Sequence, residues 1–315
     1  MGSTSLAGRP ALKQGRRFSW RVLDVRQGKA MGYFFIVPSL IMVTVFVIYP
    51  VIQSFYWSFT NWTGFGEAKW VGLDNYIFIF RNHEPLEWLW HNVVFATLYT
   101  STVIVVGLTL ALILNQPLIA RNTFRTIYFI PYVIPGMISA LVWNFMLTPQ
   151  FDPLDALFRA IGLGQFWQPW LGNAYTAFYV AIFITVWSNI GFSMVLYLAG
   201  LQNIPQDLYD AANVDGANRV QRIIRITIPL LRPITLVILI LSIIGSMKIF
   251  EVIWGLTHGI QRPPMEVIGT AIYRVGFGFN KVGQASALSV VLFAIIFVLT
   301  IIQLQLTRSG EAIEY

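Results

Sequence analysis

The sequence contains no cysteine. That removes disulfides, thiolate metal sites and cysteine nucleophiles together, and it leaves the redox character of the compartment open. Charge is scarce as well. Only 11% of the 315 residues are Asp, Glu, Lys or Arg, where a soluble domain carries about 25%. Histidine occurs three times, at His83, His91 and His258, with no spacing that suits a metal. There is no Gly-x-x-x-x-Gly-Lys-Ser/Thr phosphate loop, and Gly28-Lys29-Ala30 lacks the preceding glycine, so the chain itself is not expected to hydrolyse ATP. No Gly-x-Ser-x-Gly elbow is found. These absences leave no catalytic constellation, no cofactor and no metal site to expect in this chain.

Apolar surface is what the sequence has in excess, at 56% of residues. A soluble protein this apolar could not cover its surface, so lipid must be the solvent for much of it. Six runs are long enough to cross a hydrocarbon core about 30 Å thick, at 33–55, 93–114, 127–147, 177–201, 234–256 and 285–306. Only the fifth holds charges, Lys248 and Glu251. Pro38 and Pro50 fall in the first, and Pro131, Pro135 and Gly136 in the third; membrane helices tolerate these where neighbours re-satisfy the backbone. The first run is too long for a signal-peptide core and has no small-residue cleavage site, so it reads as a retained helix.

The net charge of +7 is explained by where the basic residues sit. With the N-terminus inside, the inner segments hold fourteen Lys and Arg, seven of them in residues 1–30, and the outer segments hold six. That bias predicts both termini in the cytoplasm. It accounts for the basic balance without nucleic acid, and residues 1–30 read as a segment that touches anionic lipid headgroups. The outer loops carry many tryptophans: Trp57, Trp62, Trp70, Trp88 and Trp90 in 56–92, then Trp167 and Trp170 in 148–176. They suit an interfacial aromatic belt or a docking surface for an extracytoplasmic protein.

The inner loop after the fourth run has the most local structure. Pro205 suits a helix start, Asp207 a first turn where the dipole favours an acid, and Gly216 a left-handed stop, which predicts a short helix over 205–215. The small Ala211 and Ala212 would let another surface approach. Arg219, Arg222 and Arg225 then recur at helical spacing, with Val220, Ile223 and Ile224 on another face, before Pro229 and Pro233. By periodicity alone, this helix–Gly–helix elbow is either a rigid coupling element or an interfacial cap on the bundle.

Within the spans, Lys248 and Glu251 are spaced i, i+3, which allows an ion pair if the helix is continuous; contact with substrate is the other reading. Asn189 and Ser193 share one face of the fourth span, and Ser242 and Ser246 one face of the fifth. These groups suit a hydroxyl-rich ligand, with Phe192 placed to stack on a sugar ring, or they join helices by hydrogen bonds.

Asp210-Ala211-Ala212-x-x-Asp215-Gly216-Ala217, continuing to Ile226-x-Ile228-Pro229, resembles the EAA motif of ABC importer permeases. Ile48-Tyr49-Pro50 leading to Ser58-Phe59-Thr60-Asn61-Trp62, the run Val71-Gly72-Leu73-Asp74-Asn75-Tyr76, and Gly283 to Phe293 resemble the maltose-type carbohydrate permeases. The resemblance covers nearly everything after residue 30. Asp210 stands where the family usually has Glu, Ile223 where Phe is common, and Thr257-His258-Gly259-Ile260-Gln261-Arg262-Pro263 replaces a glycine-rich run. It implies an all-α integral membrane protein of six transmembrane helices with a cytoplasmic coupling elbow. That permease would lie in a bacterial or archaeal plasma membrane, within a carbohydrate importer. A second related permease, a dimeric cytoplasmic ATPase that binds ATP and Mg, and an extracytoplasmic solute-binding protein would be its partners. Asp210, Ala211, Ala212, Asp215, Gly216, Ala217 and Pro229 would engage the ATPase, and substrate contacts would fall on spans four and five, at Asn189, Phe192, Ser242 and Ser246. The expected organisation is a basic segment 1–30, a first span and outer loop 31–85, a permease core 86–306 and a tail 307–315. A secondary transporter or channel that needs no ATPase is the alternative; intramembrane acids or an internal repeat would favour it.

Overall fold

The computed structural model describes residues 35–148 and 153–308. The basic segment 1–30 and most of the tail at 307–315 lie outside the described residues. The chain divides into two compact units, 1–52 and 53–315. In the first, the described residues are helical and every one is exposed. They open helix α1 (Phe35–Trp57), which buries no side chain in its most apolar window. Apolar and unburied along its length, α1 has the surface of a helix solvated by lipid or by another chain.

The remaining described elements are also helical, with a single β-bridge between Thr60 and Trp70. Helix α2 (Asp74–Arg81) precedes α3 (His83–Leu114), then α4 (Arg121–Val133), α5 (Gly136–Leu147) and α6 (Pro153–Ala160). Helix α7 (Ala174–Gln202) is followed by α8 (Gln206–Val214), α9 (219–230), α10 (Arg232–Met247) and α11 (Glu251–Thr257). Last come α12 (Ile268–Tyr273), which runs on as a π-turn at Arg274–Gly278, and α13 (Val282–Arg308).

Among the described residues five helices are long and apolar enough to cross a membrane, and α4 with α5 would make a sixth span bent by 101°. The third apolar run is therefore not the straight helix its hydropathy predicts. The chain leaves helical geometry at Ile134, which is extended ahead of Pro135, because a residue before proline is pushed out of the α region.

In lipid, apolar contact alone gives helices little reason to associate, so close packing and hydrogen bonds between them carry the assembly. Helix α7 is central and packs most extensively on α3, then on α4. A Cβ at Gly191 would overlap the Tyr128 carbonyl, so only glycine lets α4 and α7 meet there. Ser193 donates to the Val103 carbonyl at 3.1 Å and Tyr197 to Thr235 at 3.1 Å. One buried cluster gathers Phe95, Tyr99, Phe178, Ile184 and Tyr197 from α3 and α7. A second gathers Ile79, Trp88, Met247, Ile268 and Leu288 toward α13.

Candidate translocation cavity and coupling elbow

Two breaks in the helices face one space. The turn between α4 and α5 and the turn between α10 and α11 both line a cavity of about 480 Å³, with Tyr99, Tyr132, Thr185, Ser188, Asn189, Lys248, Phe250 and Glu251 on its walls. Non-helical backbone at membrane depth is tolerated where it is buried in protein or lines a water-filled cavity. A second cavity of about 280 Å³ shares Tyr99, Tyr132 and Asn189 and adds Phe192, Ser193, Leu241 and Ser242. Both spaces are therefore walled by α3, α4, α7 and α10. Their lining combines aromatic faces with hydroxyl, amide and charged groups, the mixture expected of a small-molecule site.

The break at 248–250 changes the relation between Lys248 and Glu251. Helix α10 ends at Met247 and α11 starts at Glu251. Their i, i+3 spacing no longer places them on one continuous helix face, and they form no ion pair. Both side chains open onto the larger cavity instead. Glu251 reaches the start of α5, where a Cβ at Gly136 would stand 2.9 Å from its Oε2. The positive end of that helix suits a carboxylate. Asn92 holds the break in place: its Nδ2 donates to the Met247 carbonyl at 3.0 Å, and its Oδ1 accepts from the Ile268 N–H at 2.8 Å.

The other polar residues singled out in the sequence divide by what their side chains bond. Asn189 borders both cavities while donating to the Thr185 carbonyl at 2.8 Å. Phe192 lines the smaller one and stacks on Tyr132, with ring centroids 4.8 Å apart. Ser242 lines that cavity too, although nearly buried. Ser193 is at its edge, but its hydroxyl is engaged in the bond to α3. Ser246 lines neither cavity and bonds the Ile243 carbonyl of its own turn at 3.0 Å. Tyr99, Tyr132, Thr185 and Ser188 are wall residues that sequence reasoning missed. Their helical period was visible, but which face turns inward depends on the neighbouring helices.

The elbow between α7 and α10 has the local form its residues imply. Helix α8 stops at Val214, and Gly216 takes φ +75°, where a side chain would be strained. Pro205 sits one position outside the helix, as its N-cap. Helix α9 opens with a capping box in which Asn218 and Gln221 bond each other's backbone N–H at 2.9 and 2.8 Å. Asp210, Ala211, Asp215 and Gly216 are exposed, Ala212 and Ala217 half-buried, and Pro229 exposed near the entry to α10. Leu208, Val214, Val220 and Ile224 add exposed apolar surface.

Residues 103–309 match the family described as binding-protein-dependent transport system inner membrane component. The chain belongs to that family. As a permease, it is 32% identical over 290 residues to the probable ABC transporter permease protein YurN of Bacillus subtilis, covering 91% of this chain and 99% of that one. It is 35% identical over 290 residues to the trehalose/maltose transport system permease protein MalF of Thermococcus litoralis, covering 91% and 96%. With the arabinooligosaccharides transport system permease protein AraP of B. subtilis it shares 32% over 306 residues, 95% of each. In fold it is similar to a chain of a bacterial ABC transporter involved in the import of the acidic polysaccharide alginate, with TM-score 0.78 and 24% identity over 90% of this chain and 96% of that one. The permease is thus a multi-pass membrane transport subunit.

Between α11 and α13 the permease buries an ion pair. Arg274 donates to Glu266 Oε2, with the Glu266 side chain fully buried and that of Arg274 at 14% exposure. Burial pushes the Glu266 carboxyl above the usual carboxylate range, while its bond to Arg274 pulls the other way.

Proposed function

We propose that the permease forms half of the pathway of an ATP-driven, binding-protein-dependent carbohydrate importer and couples that pathway to a cytoplasmic ATPase. A second, related permease supplies the other half. The ATPase is a dimer that binds ATP and Mg, and an extracytoplasmic solute-binding protein delivers the sugar. Both termini lie in the cytoplasm of a bacterial or archaeal plasma membrane. The positive-inside bias supports that orientation, which puts the 206–230 elbow beside the ATPase.

One observation carries the coupling. Helix α7 enters the elbow and α10 leaves it, and these same helices wall both cavities. A push on the elbow therefore moves two walls of the path. Asp210, Ala211, Ala212, Asp215, Gly216 and Ala217 form the docking knuckle, and Pro229 sets the departure toward α10. Closure of the ATPase on ATP favours one facing of the bundle to the extent that it binds that state more tightly.

Asn189, Phe192 and Ser242 suit hydroxyl-rich ligands, with Tyr99 and Tyr132 as added aromatic and hydroxyl surface. The curated relatives named for trehalose, maltose and arabinooligosaccharides support a saccharide. Lys248 and Glu251, each open to the larger cavity, contact substrate rather than pair with one another; Lys248 extends the range to saccharides bearing a carboxylate. Ser193 and Ser246 act in packing. Uptake of labelled maltose, trehalose, arabinotriose and an alginate trisaccharide into vesicles holding the complete complex tests this reading. One or more should accumulate only with ATP on the ATPase side. Accumulation without ATP or ATPase would favour a secondary transporter.

A further inference from the structure

Helix α8 carries no buried residue. A lever that transmits force needs a fixed angle, and α8 has no apolar core to fix one. Two side-chain bonds take that role. The hydroxyls of Tyr209 and Thr227 lie 3.0 Å apart, joining positions 18 residues distant. Arg222 donates to Asn213 Oδ1 at the far end of α8. Together with the left-handed turn at Gly216, these bonds close α8 and the first turns of α9 into one unit.

Thr227 is placed for this by a local irregularity. Residues Ile223–Thr227 form a π-turn, closed by the Ile228 N–H on the Ile223 carbonyl. One inserted residue rotates the face presented by everything after it by about 100°. Thr227 ends that turn, is 2% exposed, and stands two residues before Pro229 at the root of α10. Tyr209, with Ala212 one of the two half-buried residues of α8, reaches it from the next position to Asp210 in the docking knuckle.

We propose that the Tyr209–Thr227 hydrogen bond is a latch that sets the angle of the coupling helix, making both positioning residues for the conversion of ATP hydrolysis into transport. The inference rests on the coupling reading above. Neither hydroxyl contacts nucleotide or sugar; the bond transmits force from the knuckle to α10.

The test uses the complete complex in vesicles, with whichever saccharide of the panel the wild type takes up. Tyr209→Phe and Thr227→Val each remove one hydroxyl with little change of shape. Each should lower uptake per ATP hydrolysed by roughly three- to tenfold, the range of one net hydrogen bond. The double variant should be no worse than the poorer single, since both remove the same bond, and Thr227→Ser should restore wild-type coupling. Independently of any sugar, amide hydrogen exchange across 206–214 in the purified complex should speed up in both single variants. Wild-type uptake per ATP with unchanged exchange would overturn the latch. So would losses in the two singles that multiply in the double. Failure of both singles to assemble would assign the bond to folding and overturn it as well. Asp210→Lys, run alongside, separates the two claims. If it too couples normally, the coupling reading itself is wrong; if only the latch variants couple normally, the latch alone is wrong.

Discussion

Asn92 ties the last residue before the 248–250 break to the start of α12 with one fully buried amide. Replacing it by Leu keeps the volume and leaves the Met247 carbonyl and the Ile268 N–H without a partner, at about 1–3 kcal/mol for each buried group. The thermal midpoint of the purified complex should fall by several degrees in Asn92→Leu, measured by scanning fluorimetry. Among cavity residues, Lys248→Met should raise KM for an acidic saccharide and leave KM for a neutral one nearly unchanged. Ser246→Ala should leave both unchanged, because its hydroxyl serves its own helix turn. The raised Glu266 carboxyl has a pH signature. Above the ordinary carboxyl value of 4.5 the unfolded chain has given up the proton that the folded chain still holds. Glu266 thus weakens the fold as pH rises from there through its own raised value. Denaturation midpoints followed over that window should drift down in the wild type and lose this component in Glu266→Gln.

Helices were readable in the sequence where a local signal fixes them. The 205–215 expectation meets an observed Gln206–Val214, because Asp207 in the first turn and Gly216 past the end act within the segment itself. The span edges near 177–201 and 234–256 lie close to the observed Ala174–Gln202 and Arg232–Thr257. Helix α3 begins at His83, ten residues before its apolar run, since hydropathy marks only the part that lipid solvates. The two breaks were not readable in the same way. Pro135 hinted at one. The other has no proline and is held by Asn92 from a different helix, a partner that no local pattern encodes. The same limit hid Tyr99 and Tyr132. Gly191→Val tests the closest helix approach. It should force α4 from α7 and cost about 1–3 kcal/mol, seen as a lower yield of assembled complex; wild-type yield and midpoint would contradict the contact.

Residues 53–315 pack as helices in which one elbow, at 206–230, interrupts the path between two cavity-lining helices. The chain's membrane class was legible from charge scarcity alone, and its family from the Asp210–Pro229 motif, whose spacing lets the knuckle, the left-handed turn and the exit to α10 be placed in order. What covers the apolar α1 surface was not legible, because a helix's own pattern marks the face as apolar without naming its neighbour. Exchange of α1 apolar residues for spin labels should report lipid or protein contact once the complex is assembled. The central claim is that force enters at the elbow. Uptake and ATP hydrolysis measured together on Gly216→Pro in the reconstituted complex address it most directly. The expected result is an assembled complex that still hydrolyses ATP, retains sugar affinity in its binding protein and accumulates no sugar. Wild-type accumulation by that variant would contradict the account.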